Sequence, residues 1–154
     1  MSRFFSARSN EFLNEVHPDL AKVARKAVHT SAVDFAVISG VRTREEQFAL
    51  WRTCHNLDGT PNGAPWKTDK NGTPVGQLTP EGAHGTGESN HQGGRAIDVM
   101  ALIANRPNWE EKHYHLIADA MLEAAARLNI PLIWGGAWPK KDLVHFELNK
   151  SFYK

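Results

Sequence analysis

A single cysteine, Cys54, stands in this chain of 154 residues, so no disulfide can close within it. A cystine-stapled fold and a Cys-rich zinc finger are excluded, and synthesis in a reducing cytoplasm is the expectation. Charge of one sign is also missing: 18 Lys and Arg against 17 Asp and Glu leave a formal charge of +1. A nucleic-acid binder usually carries a basic face, so no nucleic-acid partner is expected. No apolar run reaches the roughly 18–20 residues of a membrane helix, and no membrane insertion is expected. The N-terminal Met1-Ser2-Arg3-Phe4-Phe5 begins like a leader, but Asn10 and Glu11 interrupt it before an apolar stretch forms. No secretory signal is read there. Internal repeats and single-residue tracts are absent too. What remains is 41% hydrophobic and 23% charged residues, the make-up of one folded domain over residues 1–154.

Helical and extended patterns are mixed. Pro18 is pre-organised for a first helical turn, and Leu20, Val23, Ala24, Ala27 and Val28 follow at helical spacing. Asp34–Ser39 reads as a buried strand, and Thr43-Arg44-Glu45-Glu46 has the form of a capping box opening a helix that turns Phe48 and Trp51 inward. Residues 57–88 then hold seven of the twelve glycines and four of the eight prolines. A long segment without periodicity inside a domain reads as a functional loop. Arg95–Met100 reads as a strand with Ile97 and Val99 on one face and Asp98 on the other. The strongest periodicity places Tyr114, Ile117, Ala118, Met121, Leu122, Ala125 and Leu128 on one helical stripe, with Asn129 as its C-terminal cap. Residues 130–134 and 143–148 read as two strands joined through Gly135-Gly136. Without regular βαβ alternation the class is α+β, a single domain with a small antiparallel sheet flanked by helices.

Position separates the eight histidines. His91 lies in Ser89-Asn90-His91-Gln92-Gly93-Gly94, whose glycines allow a tight bend before the strand that carries Asp98. His145 lies in Asp142-Leu143-Val144-His145-Phe146-Glu147, where alternation puts Leu143, His145 and Glu147 on one face. Two neutral imidazoles and one carboxylate leave a fourth position on a zinc ion for water, the plan of a catalytic site. His113 and His115 flank Tyr114 and read as solvent-facing, His84 in the Gly-rich loop as no more than cleft lining, and Trp134 and Trp138 as core residues ahead of a substrate wall.

Taken together, Ser-x-His-x6-Asp, Asp-x2-His and a preceding Ser-Gly-x-Arg resemble the zinc peptidases of the D-alanyl-D-alanine carboxypeptidase and VanY type. Their relatives include the VanX dipeptidases and phage L-alanyl-D-glutamate endolysins. The motifs here are Ser39-Gly40-Val41-Arg42-Thr43, Ser89-Asn90-His91 through Asp98, and Trp134-Gly135-Gly136-Ala137-Trp138 through His145. The resemblance runs from Pro18 to Leu148. An Asp, not a Glu, three residues before the last histidine looks most like the endolysin branch. The long Gly/Pro loop departs from compact members, which have a shorter connection there.

The resemblance implies a fold like that of hedgehog domains and D,D-peptidases, one zinc ion held by His91, Asp98 and His145, and Asp142 as general base. Glu147 is the rival carboxylate, read otherwise as a support of His145 or a solvent-facing side chain. Arg42 would lie near the scissile carbonyl or a substrate carboxylate, and Ser89 would hydrogen-bond substrate. The implied activity is hydrolysis of the peptidoglycan stem peptide, with cleavage between L-alanine and D-glutamate by a phage endolysin. A D,D-carboxypeptidase or D-Ala-D-Ala dipeptidase is the first alternative, and a zinc-stabilised binding module without activity is the second. A monomer is expected, made in a host cytoplasm, released with the help of a holin and acting on the cell wall.

Overall fold

Ser6 opens the first helix by accepting a hydrogen bond from the Ser9 amide at 3.3 Å. The computed structural model describes residues 3–43, 46, 90, 91 and 93–153. Helix α1 (Ala7–Glu15) buries only Ser9 and Leu13, too thin a stripe to read as an amphipathic face, and the sequence patterns miss it. The Ser9 hydroxyl explains its place. It accepts from the Val37 amide at 3.1 Å and donates to the Val37 carbonyl at 3.4 Å. The hydroxyl thereby pairs both backbone groups of Val37 on the outer edge of strand β1 (Asp34–Ser39).

Helix α2 (Pro18–Thr30) begins as its proline predicts, with His17 Nδ1 accepting from the Asp19 amide at 3.1 Å. Its apolar face packs on helix α3 (Glu111–Arg127). α3 ends in a motif in which Asn129 takes a left-handed φ of 55°, the Asn129 amide donates to Ala126 and the Ile130 amide donates to Ala125. Most of the expected stripe is buried, but Leu122 and Leu128 are each 38% exposed. The buried stripe is thus narrower than the spacing suggests.

Strand β2 (Ala96–Ile103) runs three residues beyond its expected end and turns at Ala104 and Asn105, both at positive φ, into β3 (Arg106–Asn108). Such a hairpin turn usually announces itself with Asn-Gly, and Ala-Asn gives a weaker signal. The strands β4 (Leu132–Trp134) and β5 (His145–Leu148) are shorter than expected and are joined through a 3-10 turn at Gly135–Ala137. All pairings are antiparallel in the order β1-β2-β5-β4, with β3 pairing the far end of β2.

Ile97 pairs with Phe146 and Asp98 with His145 across β2 and β5. Ile97 and Phe146 have no exposed surface and face the helices, so the next residues along each strand face away from them. A slip of one residue would drive Asp98 and His145 into the core and expose two large apolar side chains. Burial of each such side chain is worth about 1.5–3 kcal/mol, which pins the register and with it the polar face.

Candidate metal centre and active site

The Val37–Ser39 step of β1 carries a register shift, after which Ser39 pairs with Asp98. A bulge of this kind re-aims the chain beyond it. Beyond it the Gly40 carbonyl accepts from His91 Nδ1 at 2.9 Å, and the Arg42 amide donates to the His91 carbonyl at 3.1 Å. His91 sits in a tight turn closed by the Gly94 amide, which donates to the His91 carbonyl; Gly94 has φ +70°, open to glycine at no steric cost. The Gly40 carbonyl can only accept, so the proton of that bond sits on Nδ1, and Nε2 faces Asp98 Oδ2, 3.4 Å away.

His145 approaches from the neighbouring strand. Its Nδ1 lies 3.2 Å from Asp98 Oδ1 and its Nε2 lies 2.7 Å from Glu147 Oε2. Among the described residues, His91, Asp98 and His145 form a buried group whose ligand atoms lie within 4.8 Å of one another. Two imidazole nitrogens and a carboxylate oxygen suit zinc and leave room for a further ligand, and each imidazole is oriented by an acceptor on its far nitrogen, so the residues fit a catalytic metal ion.

The electrostatics follow from burial and pairing. Burial holds His91 below the ordinary histidine range, and Asp98 beside it only partly offsets this. Burial would lift Asp98, but the charge of His91 and the bonds to His145 and His91 hold its carboxyl well below the usual range. Burial also opposes charge on His145, yet its bonds to Asp98 and Glu147 prevail and carry it to about 10. The carboxylate of Asp98 thus stays ionised in the cluster, paired with a charged His145.

Asp142 is placed by Gly135. The Asp142 amide donates to the Gly135 carbonyl at 2.9 Å, and a Cβ at Gly135 would stand 2.6 Å from the Asp142 carbonyl oxygen. Only glycine permits that approach. Burial pushes the Asp142 carboxyl up to about 6, helped by the charge of Asp98 and opposed by His145 and Arg42. The four are close enough to sense one another, and a carboxyl near neutrality suits taking and returning a proton.

Arg42 donates to Asp98 Oδ2 at 3.3 Å and to the Ser39 hydroxyl at 3.2 Å, so its guanidinium reaches the carboxylate of the cluster. Trp134 is half-buried and packs against the core, stacking on Phe146 and donating from Nε1 to the Leu143 carbonyl at 2.8 Å. Trp138 is half-buried too, but its ring lies 5.3 Å from that of His145, at the centre itself. His115 is exposed as expected, while His113 is half-buried. Thr43 Oγ1 accepts from the Glu46 amide at 3.1 Å, one half of the expected capping box. Ser89, His84, Phe48, Trp51 and the loop 57–88 lie outside the described residues. Asn90 and Ser39, partners of the centre, were not singled out in the sequence; only their places beside His91 and Arg42 in the two motifs could have marked them.

Comparison with known proteins gives a consistent result. The family profile described as D-alanyl-D-alanine carboxypeptidase matches residues 83–148, and that of phage L-alanyl-D-glutamate peptidase matches residues 1–55. The L-alanyl-D-glutamate peptidase of Escherichia phage T5 is 26% identical over 154 residues, covering 99% of this chain and 94% of that protein. The crystal structure of the Serratia marcescens L-Ala D-Glu endopeptidase ChiX superposes with a TM-score of 0.72 at 32% identity, covering 99% of this chain and 94% of that one.

Proposed function

From a chain that belongs to the family of peptidoglycan peptidases joining D-alanyl-D-alanine carboxypeptidases to L-alanyl-D-glutamate endopeptidases, we infer a zinc-dependent endopeptidase that cuts between L-alanine and D-glutamate in the stem peptide. The observation that carries this reading is the buried His91–Asp98–His145 cluster beside a carboxyl raised towards neutrality, in a chain alike over nearly its whole length to two L-alanyl-D-glutamate peptidases. The whole chain acts as one catalytic domain.

His91 through Nε2, Asp98 and His145 through Nδ1 would hold one zinc ion. Bound there, zinc supplies a Lewis acid for the scissile carbonyl and makes water a better nucleophile at neutral pH. Asp142 accepts the proton of the attacking water and returns it to the leaving amine of D-glutamate, which breaks the amide bond. Arg42 presents guanidinium donors beside the cluster, where negative charge develops on the carbonyl oxygen. Its bond to Asp98 holds it there. Ser89 contributes a hydrogen bond to substrate. The protein works as a monomer on the cell wall after synthesis in a host cytoplasm, with a holin giving it access. A lysis enzyme must sever crosslinked material, and this bond detaches peptide bridges from glycan whatever their crosslinks.

Digestion of purified sacculi followed by mass spectrometry tests the bond. New D-glutamate amino termini are expected, with L-alanine retained on the muramyl sugar. Release of D-alanine alone, with crosslinked peptides untouched, would make the protein a carboxypeptidase, and no release at all by zinc-loaded protein would leave a binding module.

A further inference from the structure

Both imidazoles of the cluster are held on the side away from Asp98, but by different acceptors. His91 leans on a backbone carbonyl, that of Gly40. His145 leans on a carboxylate, Glu147 Oε2, at 2.7 Å from Nε2, a shorter contact than the 3.2 Å from Nδ1 to Asp98. Glu147 is itself enclosed, its side chain 15% exposed, and it hydrogen-bonds to the buried Asn90. The Asn90 side-chain oxygen in turn faces Arg95 Nε at 3.5 Å. The turn that presents His91 therefore also braces the other histidine through Asn90 and Glu147.

An imidazole on a β-strand can rotate about its last side-chain torsion. Half a turn of the His145 ring would put a carbon, Cδ2, where Nδ1 faces the cluster. A carboxylate bonded to the Nε2 proton opposes that rotation, fixes the tautomer and makes Nδ1 a stronger donor to a cation. We propose that Glu147, backed by Asn90, is a positioning residue that holds His145 with Nδ1 towards the metal and its proton on Nε2. This rests on the reading of His91, Asp98 and His145 as the metal centre, and it separates Glu147 from the proton-transfer role of Asp142.

The test uses the full chain with zinc alone as the probe. Chelator competition gives the affinity, and long-range proton–nitrogen correlation spectra of histidine-labelled protein give the state of each ring nitrogen. In the wild type, His145 should bind zinc through Nδ1 and carry its proton on Nε2. Glu147→Ala should lose about 10–100-fold in zinc affinity and lose the single Nε2-protonated signature of His145. Glu147→Gln keeps an oxygen that accepts from Nε2 and should restore both to near wild type. If Glu147→Ala does not fold, Glu147→Asp, one methylene too short for the bond, should show the same loss. Unchanged affinity and spectrum in Glu147→Ala or Glu147→Asp, or zinc found on Nε2 in the wild type, would overturn the proposal alone. A wild type that binds no zinc would overturn the metal centre and this inference together.

Discussion

Asp142 and Glu147 flank the same histidine in sequence, and their surroundings divide their work. Glu147 is committed to His145, which outweighs the effect of its burial and keeps it ionised below the ordinary range. Asp142 is raised to about 6 by burial and by Asp98. Asp142→Asn should therefore keep zinc and fold while lowering turnover by roughly 10²–10⁴, the share of a general base. Near-wild-type turnover in that variant would remove Asp142 from the mechanism. Arg42→Ala should lose about 10²-fold in turnover with zinc retained, and Arg42→Lys should recover little, because a compact ammonium lacks the planar fork of donors that a guanidinium presents to a developing oxyanion. Steady-state rates with zinc content measured on the same samples separate these outcomes. Glycine bends and strand alternation marked where His91, Asp98 and His145 could converge, and the fold brings them together, whereas Asp142 and Arg42 became candidates through the family resemblance. The supports of these residues were not legible. The acceptor for His91 is a backbone carbonyl at Gly40, and a peptide oxygen leaves no mark in residue type.

Helices and strands were legible where one face is apolar and illegible where a polar atom holds the element. α3 could be read from its stripe, whereas α1 is anchored by the Ser9 hydroxyl on Val37, and serine spacing carries no periodic signal. The β2–β3 hairpin is likewise held by a polar side chain. Tyr114, 1% exposed, accepts from the Ala101 amide at 3.2 Å and donates to the Asn108 carbonyl at 3.0 Å, tying α3 to both strands. Tyr114→Phe leaves those two backbone groups without their partner and should cost about 1–3 kcal/mol at neutral pH. Burial also raises the Tyr114 hydroxyl to about 12. The unfolded tyrosine ionises from about pH 10 while the folded one stays protonated, so its contribution is intact below pH 10 and declines as pH rises towards 12. The stability gap between wild type and Tyr114→Phe should accordingly narrow by about 2 kcal/mol across that window. Denaturant titrations at pH 8, 10 and 11.5 would show it, and a constant gap would mean that the hydroxyl titrates normally in the fold.

Across the whole molecule, the candidate ligands come from the turn at residues 90–94, from β2 and from β5, segments the chain brings together only when the sheet is complete. A zinc ion there would tie the turn to the two central strands, so it would bind the folded chain and not the unfolded one. Such a ligand stabilises by mass action, by about 4 kcal/mol at a thousandfold excess over its dissociation constant. For a domain of this size that corresponds to a rise in Tm of roughly 10 °C. The chelator-treated protein should nevertheless stay folded. The core that fixes the β2–β5 register is apolar and lies on the opposite face, and the ion pair of Asp98 with His145 keeps the cluster satisfied without a cation. Far-UV circular dichroism should then be unchanged on zinc removal while Tm falls, and both Tm and hydrolysis should return on adding one equivalent of zinc. His145→Ala should melt at one temperature with or without zinc, because the cluster has lost a nitrogen. Asp142→Asn should keep the full zinc-dependent shift although it hydrolyses poorly, since its carboxyl acts on the proton and not on the cation. A wild-type protein whose Tm ignores zinc would remove the metal from the centre of this fold, and a shift lost in Asp142→Asn would make Asp142 a ligand.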